Sequence, residues 1–423
     1  MNRRKSAVTA AAIAAVMLSA CASGSETSGG ASDTLTLNGD RADFVEAYKA
    51  AGEELEELTG YGIDPRNVPS TESYQQVIRS SLQSDSATDL VKWWSGYRLK
   101  ELARTGGLAN LDAEWEAAVE NDWVNPDTAP SFSYDGHVYA MPMYKSYWVI
   151  FYNKKIYEDL GLSVPTTWEQ FIGNAQTIKD AGITPFFGTQ EAGWTAFIWF
   201  GEILSKLNPE FYADLMNGDA KYTDEPARRA MEIWSDLYER GFFTSPDVAW
   251  DDEPALFQSG EVAMVPMGTW RNAIFTDNGM TEQDYGAFVM PTIKPDVTPS
   301  VIVESGVFAV PEKAPNKEAA VETLGEWLNP DVQEVWVDEI NDISANPQVE
   351  IENPILTSVT EQVQQSEPIE LERYWEASPP SLVAGNVKDL ATFMVDPSKE
   401  NIGPTLQRMQ ERAEQEWAKW EQE

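Results

Sequence analysis

Phe257-Gln258-Ser259-Gly260-Glu261-Val262-Ala263-Met264, running on to Gly268-Thr269-Trp270, is the stretch that decides the fold. Val262 to Pro266 has the composition of a buried strand. Trp270 and Arg271 then follow Gly268-Thr269 on the loop beyond it, where open α/β sheets place their ligands. Working outward, strands recur at Ala287 to Met290 and Val307 to Pro311, and upstream at Val149 to Tyr152. Helices fall between them. Asn153 can cap one that ends at Leu160-Gly161, and Thr167-Trp168-Glu169-Gln170 fits a capping box for the next. Pro226 suits a first helical turn ahead of Met231, Trp234 and Tyr238, with Gly241 as the stop. Nearer the start, Leu35 to Leu37 reads as a strand, and Phe44, Val45, Tyr48, Ala51, Leu55 and Leu58 as one helical stripe. A second amphipathic helix carries Tyr74, Val77, Ile78 and Leu82, and Leu406, Met409, Ala413, Trp417 and Trp420 stripe the last. The alternation predicts an α/β protein.

Composition removes many functions. The 423 residues carry 69 acids against 30 Lys and Arg, a formal charge of −39, which argues against nucleic acid as a partner. One cysteine allows no internal disulfide and no thiolate cluster, so no metal is expected. The single histidine, His137, sits in the hairpin signal Asp135-Gly136 and reads as a turn residue. Gly-x-Ser-x-Gly, His-Glu-x-x-His and a phosphate loop are all missing, and no cofactor is expected. What stands in surplus is tryptophan, 16 of them. The chain reads as a binder rather than an enzyme.

The first 20 residues read as a secretory address: Asn2-Arg3-Arg4-Lys5, then an apolar run from Ala7 to Ala20 that is too short to span a bilayer. Leu18-Ser19-Ala20-Cys21 resembles a bacterial lipobox, so Cys21 is the expected lipidation site and residues 21–33 a flexible Ser/Gly-rich tether. Loss of residues 1–20 removes three basic residues and no acids, which takes the charge to −42. The expected location is the extracytoplasmic face of the cell membrane, with the lipid as anchor. Acids spread along the helices read as surface, and they suggest a saline habitat.

Several further stretches, taken together, resemble the carbohydrate-binding extracellular solute-binding proteins of ABC importers, the maltose-binding-like cluster. They are Asp135-Gly136-His137-Val138-Tyr139-Ala140-Met141-Pro142 with Tyr152-Asn153-Lys154-Lys155, then Pro165 to Phe171, the opening stretch, and Gly306 to Pro311 with Asn316-Lys317-Glu318-Ala319-Ala320. The resemblance implies two discontinuous α/β lobes around a ligand cleft, of the periplasmic-binding-protein type II kind. It places residues 34–142 and 293–346 in an N-terminal lobe, and 146–290 and 350–423 in a C-terminal lobe. Met141 to Tyr144, Met290 to Thr292 and Ser344 to Pro347 would be the hinges. It also implies a monomer that passes a saccharide to ABC permease subunits in the membrane.

A pyranose presents apolar C–H faces and a rim of hydroxyls, so aromatic rings and oriented polar groups must converge on it. A micromolar ligand needs about 8 kcal/mol net, and one aromatic contact adds only about 0.5–1.5 kcal/mol beyond area. The expected ligand-binding residues are Trp94 and Ser95, Ser146 and Tyr147, Glu191 and Trp194, Trp270 and Arg271, Glu304 and Ser305, and Trp375 beside Tyr374. Trp250-Asp251-Asp252, on an expected loop, is undecided. Trp234, Trp327, Trp417 and Trp420 read as packing. Two alternatives stay open: a secreted glycoside hydrolase, which also lines a cleft with Trp and carboxylates, and a binder of a polyamine or peptide.

Overall fold

Gly62–Asn67, Thr34–Gly39, Leu90–Trp94, Gly306–Ala309 and Met141–Pro142 lie side by side, in that order, as one five-stranded sheet. Its first three strands run parallel, and Gly306–Ala309 enters antiparallel against Leu90–Trp94. The computed structural model describes residues 34–422 apart from Pro69, Gln83 and Asp85. The expected signal segment, Cys21 and the tether therefore lie outside the described residues.

A second sheet takes the order Ile369–Glu372, Ser300–Glu304, Ser146–Asn153, Val262–Gly268 and Thr184–Phe186, with Tyr285–Phe288 also pairing to Ser146–Asn153. Each sheet gathers its own hydrophobic core from helices. The first core draws on residues between Leu35 and Tyr144 and between Val307 and Ile340. The second draws on Tyr147 to Ile302 and Ile343 to Ala413. Two interleaved cores explain the discontinuity, since each lobe must collect apolar surface from both halves of the chain.

The strand Leu90–Trp94 is buried at every position, and its apolar run extends through the tryptophans. Trp94 therefore ends a strand rather than standing on the loop after it. Gly62–Asn67 was not expected, because its sequence is polar and holds Pro65. It survives as an edge strand, where a proline costs no ladder bond on the open side. Ser300–Glu304 bears on where the lobes divide. Expected in the first lobe with residues 293–346, it pairs through Val303 with Tyr147 and through Glu304 with Ser146 in the second sheet. Met290 and Ile293 also pack in the second core. The chain passes from the second sheet to the first at Ser305, between Glu304 and Gly306. Near the first crossover, the Lys145 amide donates to the Ile343 carbonyl at 2.9 Å. Among the described residues no helix is long and apolar enough to cross a membrane.

Candidate functional site

Between the two sheets lies a cavity of about 530 Å3, lined from both lobes. Its size is that of a small-molecule site. The first lobe contributes Asp40, Arg41, Asp43, Thr71, Lys92, Trp94 and Tyr144. The second contributes Trp194, Trp250, Asp251, Trp270, Arg271, Glu304, Arg373 and Trp375, with apolar filler from Pro254, Ala255 and Ile274. Strand ends and the turns after them supply most of these side chains. Asp40 and Arg41 follow Thr34–Gly39, Trp94 ends Leu90–Trp94, Trp270 follows Val262–Gly268, and Glu304 closes Ser300–Glu304.

The expected residues divide on this geometry. Trp94, Trp194, Trp270, Arg271, Glu304 and Trp375 line the cavity; Ser95, Ser146, Tyr147, Glu191 and Ser305 do not. Several of the second group hold the first in place. Ser146 Oγ accepts from the Trp270 amide at 3.2 Å and shares a hydrogen bond with Thr269 Oγ1 at 2.9 Å. Thr269 Oγ1 in turn donates to Asp342 Oδ1 at 2.6 Å. A carboxylate oxygen of Glu191 accepts from the Trp250 amide at 3.2 Å, which fixes a cavity aromatic. Ser95 Oγ donates across the lobes to Glu372 at 3.3 Å. Tyr147 lies under the Lys145 ammonium, and the Ser305 hydroxyl bonds to the neighbouring Gly306 carbonyl. Tyr374 is fully buried against Tyr222 and Asn386. His137 is exposed and bonded to Asp112, away from the cleft.

Gly268 shows why the Gly-Thr-Trp order matters. A Cβ there would lie 2.4 Å from Trp270 Nε1 and 2.8 Å from Glu304 Oε1. Only glycine lets the indole fold back over the end of its own strand and meet Glu304.

The tryptophans are not equivalent. Trp94 and Trp270 are buried, at 8% and 7% exposure, whereas Trp194, Trp250 and Trp375 are half-buried. Cations already cover most of the rings. Lys92 Nζ stands 3.9 Å above Trp94, the Arg98 guanidinium 3.7 Å above Trp375, Arg271 4.5 Å above Trp250, and Arg41 reaches across the lobes to 4.9 Å from Trp270. No cation sits over Trp194 among the described residues. It meets Trp250 edge to face, with centroids 5.2 Å apart and planes at 70°. Trp194 with Trp250 therefore forms the open aromatic corner of the cavity.

Charge at the site is paired. Lys92 meets Asp40 at 3.0 Å, Arg41 Nε bonds both Asp43 oxygens at 2.9 and 3.1 Å, and Arg271 pairs with buried Glu253. Arg373 is held by Glu304 and Glu376. Burial pulls the Lys92 ammonium below its ordinary value in spite of Asp40, and pushes the Glu304 carboxyl above its own in spite of Arg373. Burial also takes Asp342 and Glu372 up to about 7. Sequence reasoning missed Asp40, Arg41, Asp43, Lys92 and Arg373. Asn-Gly-Asp-Arg after the first strand was an available signal, because it sits at the carboxyl end of a parallel strand. Lys92 gave none, being a charge inside an apolar run.

A sequence profile for bacterial extracellular solute-binding proteins matches residues 38–334, which carry most of the first lobe and most of the cavity. The chain belongs to that family. Two ABC transporter extracellular-binding proteins of Pyrococcus horikoshii, both uncharacterized, are 26% and 25% identical to this solute-binding protein over 260 and 266 residues, 59% and 60% of its chain. The chain spans a little over half the length of these relatives, 56% and 58%. An alpha-glucosides-binding periplasmic protein of Rhizobium meliloti is 23% identical over 368 residues, 77% of each chain. Among solved structures, the bacterial receptor AcbH, with an exclusive preference for β-D-galactopyranose, superposes with a TM-score of 0.79 at 21% identity. That match covers 90% of this chain and 98% of AcbH. A chitin oligosaccharide binding protein gives 0.77 at 18%, covering 90% and 98%. These likenesses establish the two-lobed type II fold of the solute-binding protein.

Proposed function

We propose that this protein is the lipid-anchored substrate-binding component of an ABC sugar importer. It captures a mono- or oligosaccharide between its lobes and delivers it to membrane permease subunits. The observation that carries the reading is the cavity into which both lobes send tryptophans interleaved with carboxylates and guanidinium groups. That is the surface a pyranose needs, with rings for its faces and oriented polar atoms for its rim. Closure follows as a population shift, since a ligand that touches both walls favours the state in which both walls are near. The lobe division proposed here runs through Ser305 and through the pairing of Lys145 with Ile343. Cys21 is the proposed lipid attachment on the extracytoplasmic side, and the protein acts as a monomer.

Thermal-shift screening of the protein against sugars, polyamines and peptides tests the reading. A saccharide that raises Tm, and that is recovered uncleaved after overnight incubation, is the expected result. Stabilisation by a polyamine alone, or recovery of cleaved sugar, overturns it. The acidic composition also leads us to propose a saline habitat. Tm is then expected to rise between dilute buffer and molar salt, and an unchanged Tm contradicts the idea.

A further inference from the structure

We infer that the cleft selects uncharged saccharides and rejects anionic ones such as uronates and sugar phosphates, because every cation lining it already has a carboxylate partner. The inference rests on the saccharide reading above and narrows it.

Recognition of an anion in a partly buried site requires a cation or a set of N–H donors free to pair with it. Four cationic side chains line this cavity, and each has a carboxylate partner, with Arg271 Nε the one buried nitrogen among them that lacks a hydrogen bond. Lys92 is 4% exposed and committed to Asp40 at 3.0 Å. Arg41 offers Nε and a terminal nitrogen to Asp43. Arg271 is taken by Glu253, and Arg373 by Glu304 and Glu376 together. Asp251 adds a further carboxylate to the lining with no cation of its own among the described ion pairs. The lining thus holds four carboxylates, Asp40, Asp43, Asp251 and Glu304, against four cations, and leaves no excess of positive charge.

The buried carboxylate of Glu304 adds a second argument. Glu304 is buried, with one oxygen on Arg373 and the Trp270 indole N–H beside the other, Oε1, which keeps room to accept a further hydrogen bond. It lies at the cavity beside Gly268 and Trp270. A sugar hydroxyl can donate to such an oxygen, since a carboxylate oxygen accepts more than one hydrogen bond. A ligand carboxylate or phosphate cannot donate, and brings a like charge to a buried one. The rings carry no contrary signal, because a neutral pyranose face suits the Trp194–Trp250 corner as it stands.

The test is isothermal titration of the full protein with matched saccharides. The panel is the neutral disaccharides of glucose, galactose and N-acetylglucosamine, their C6-oxidised uronates, and the de-N-acetylated amine. Molar salt shortens the screening length to about 3 Å, so that local pairing rather than the overall negative charge decides. At least one neutral member is expected to bind, with its uronate at least 100-fold weaker. Asp43→Asn, which releases Arg41 at a partly exposed position, is expected to narrow that ratio at least tenfold. A uronate that binds as tightly as its neutral parent overturns the inference and leaves the saccharide reading standing. The amine binding tightest overturns it too, and assigns the cleft to cationic sugars. Binding of no saccharide, whatever its charge, overturns the saccharide reading itself.

Discussion

The two walls of the cleft are built on different plans. The first-lobe wall is mostly polar: Asp40, Arg41 and Asp43 follow the strand Thr34–Gly39, and Lys92 projects from within Leu90–Trp94, with one tryptophan, Trp94, among them. The second-lobe wall is aromatic, with Trp194, Trp250, Trp270 and Trp375, and among the rings Arg271, Glu304 and Arg373 reach the cavity as members of buried ion pairs. On the saccharide reading proposed above, the walls would take different parts of one task. The charged side chains would orient hydroxyls and the rings would supply area. A ligand would receive both only between facing walls.

The comparison breaks most visibly behind the aromatic wall. Glu253→Ala leaves Arg271 buried without a counter-charge and is expected to cost about 3–5 kcal/mol, read by chemical denaturation. A loss under about 1 kcal/mol would mean that the pair does not hold this wall. Trp270→Ala is expected to cost about 3–5 kcal/mol as well, because the ring is 7% exposed. Loss of saccharide binding in that variant therefore reports the wall as much as the contact. Trp194→Ala is the cleaner probe. The side chain is half-buried at the open corner, so affinity is expected to fall about 30-fold, roughly 2 kcal/mol, with Tm nearly unchanged. Equal titration curves for Trp194→Ala and wild type would move the stacking surface elsewhere.

The smallest effect concerns the seam between the walls. Burial takes Asp342 up to about 7, above its ordinary 3.8, so the folded state binds the proton more tightly than the unfolded chain. The stability linked to that proton is full below about pH 4 and is lost as pH rises through about 7. Asp342→Asn keeps an acceptor for Thr269 and removes the titration. Its Tm relative to wild type is expected to rise by about 2–4 °C between pH 5 and pH 8. Parallel pH profiles for the two proteins would contradict this.

Much of the fold is legible in the chain, because the signals that specify it are local. Asn153 and Thr167 accept from backbone amides in the first turns of the helices they were expected to start. Trp234 and Trp327, read as packing, are fully buried. Edges and charges were less legible. The polar strand Gly62–Asn67 gives no alternating pattern, and Ser300–Glu304 shows its sheet only through strands distant in sequence, Ile369–Glu372 and Ser146–Asn153.

The sequence alone determined an α/β protein with two kinds of aromatic residue, those on helical stripes and those just beyond strands, because hydrophobic period and turn chemistry act over a few residues. It also supplied the acidic excess that argues against nucleic acid. Only the tertiary structure decided which tryptophans share a cavity and which faces cations already cover. It alone showed that Ser146 and Glu191 position cavity aromatics from outside the lining, and that Lys92, Arg41, Arg271 and Arg373 are each neutralised. Those are properties of side chains brought together from distant parts of the chain, and no local pattern encodes who meets whom.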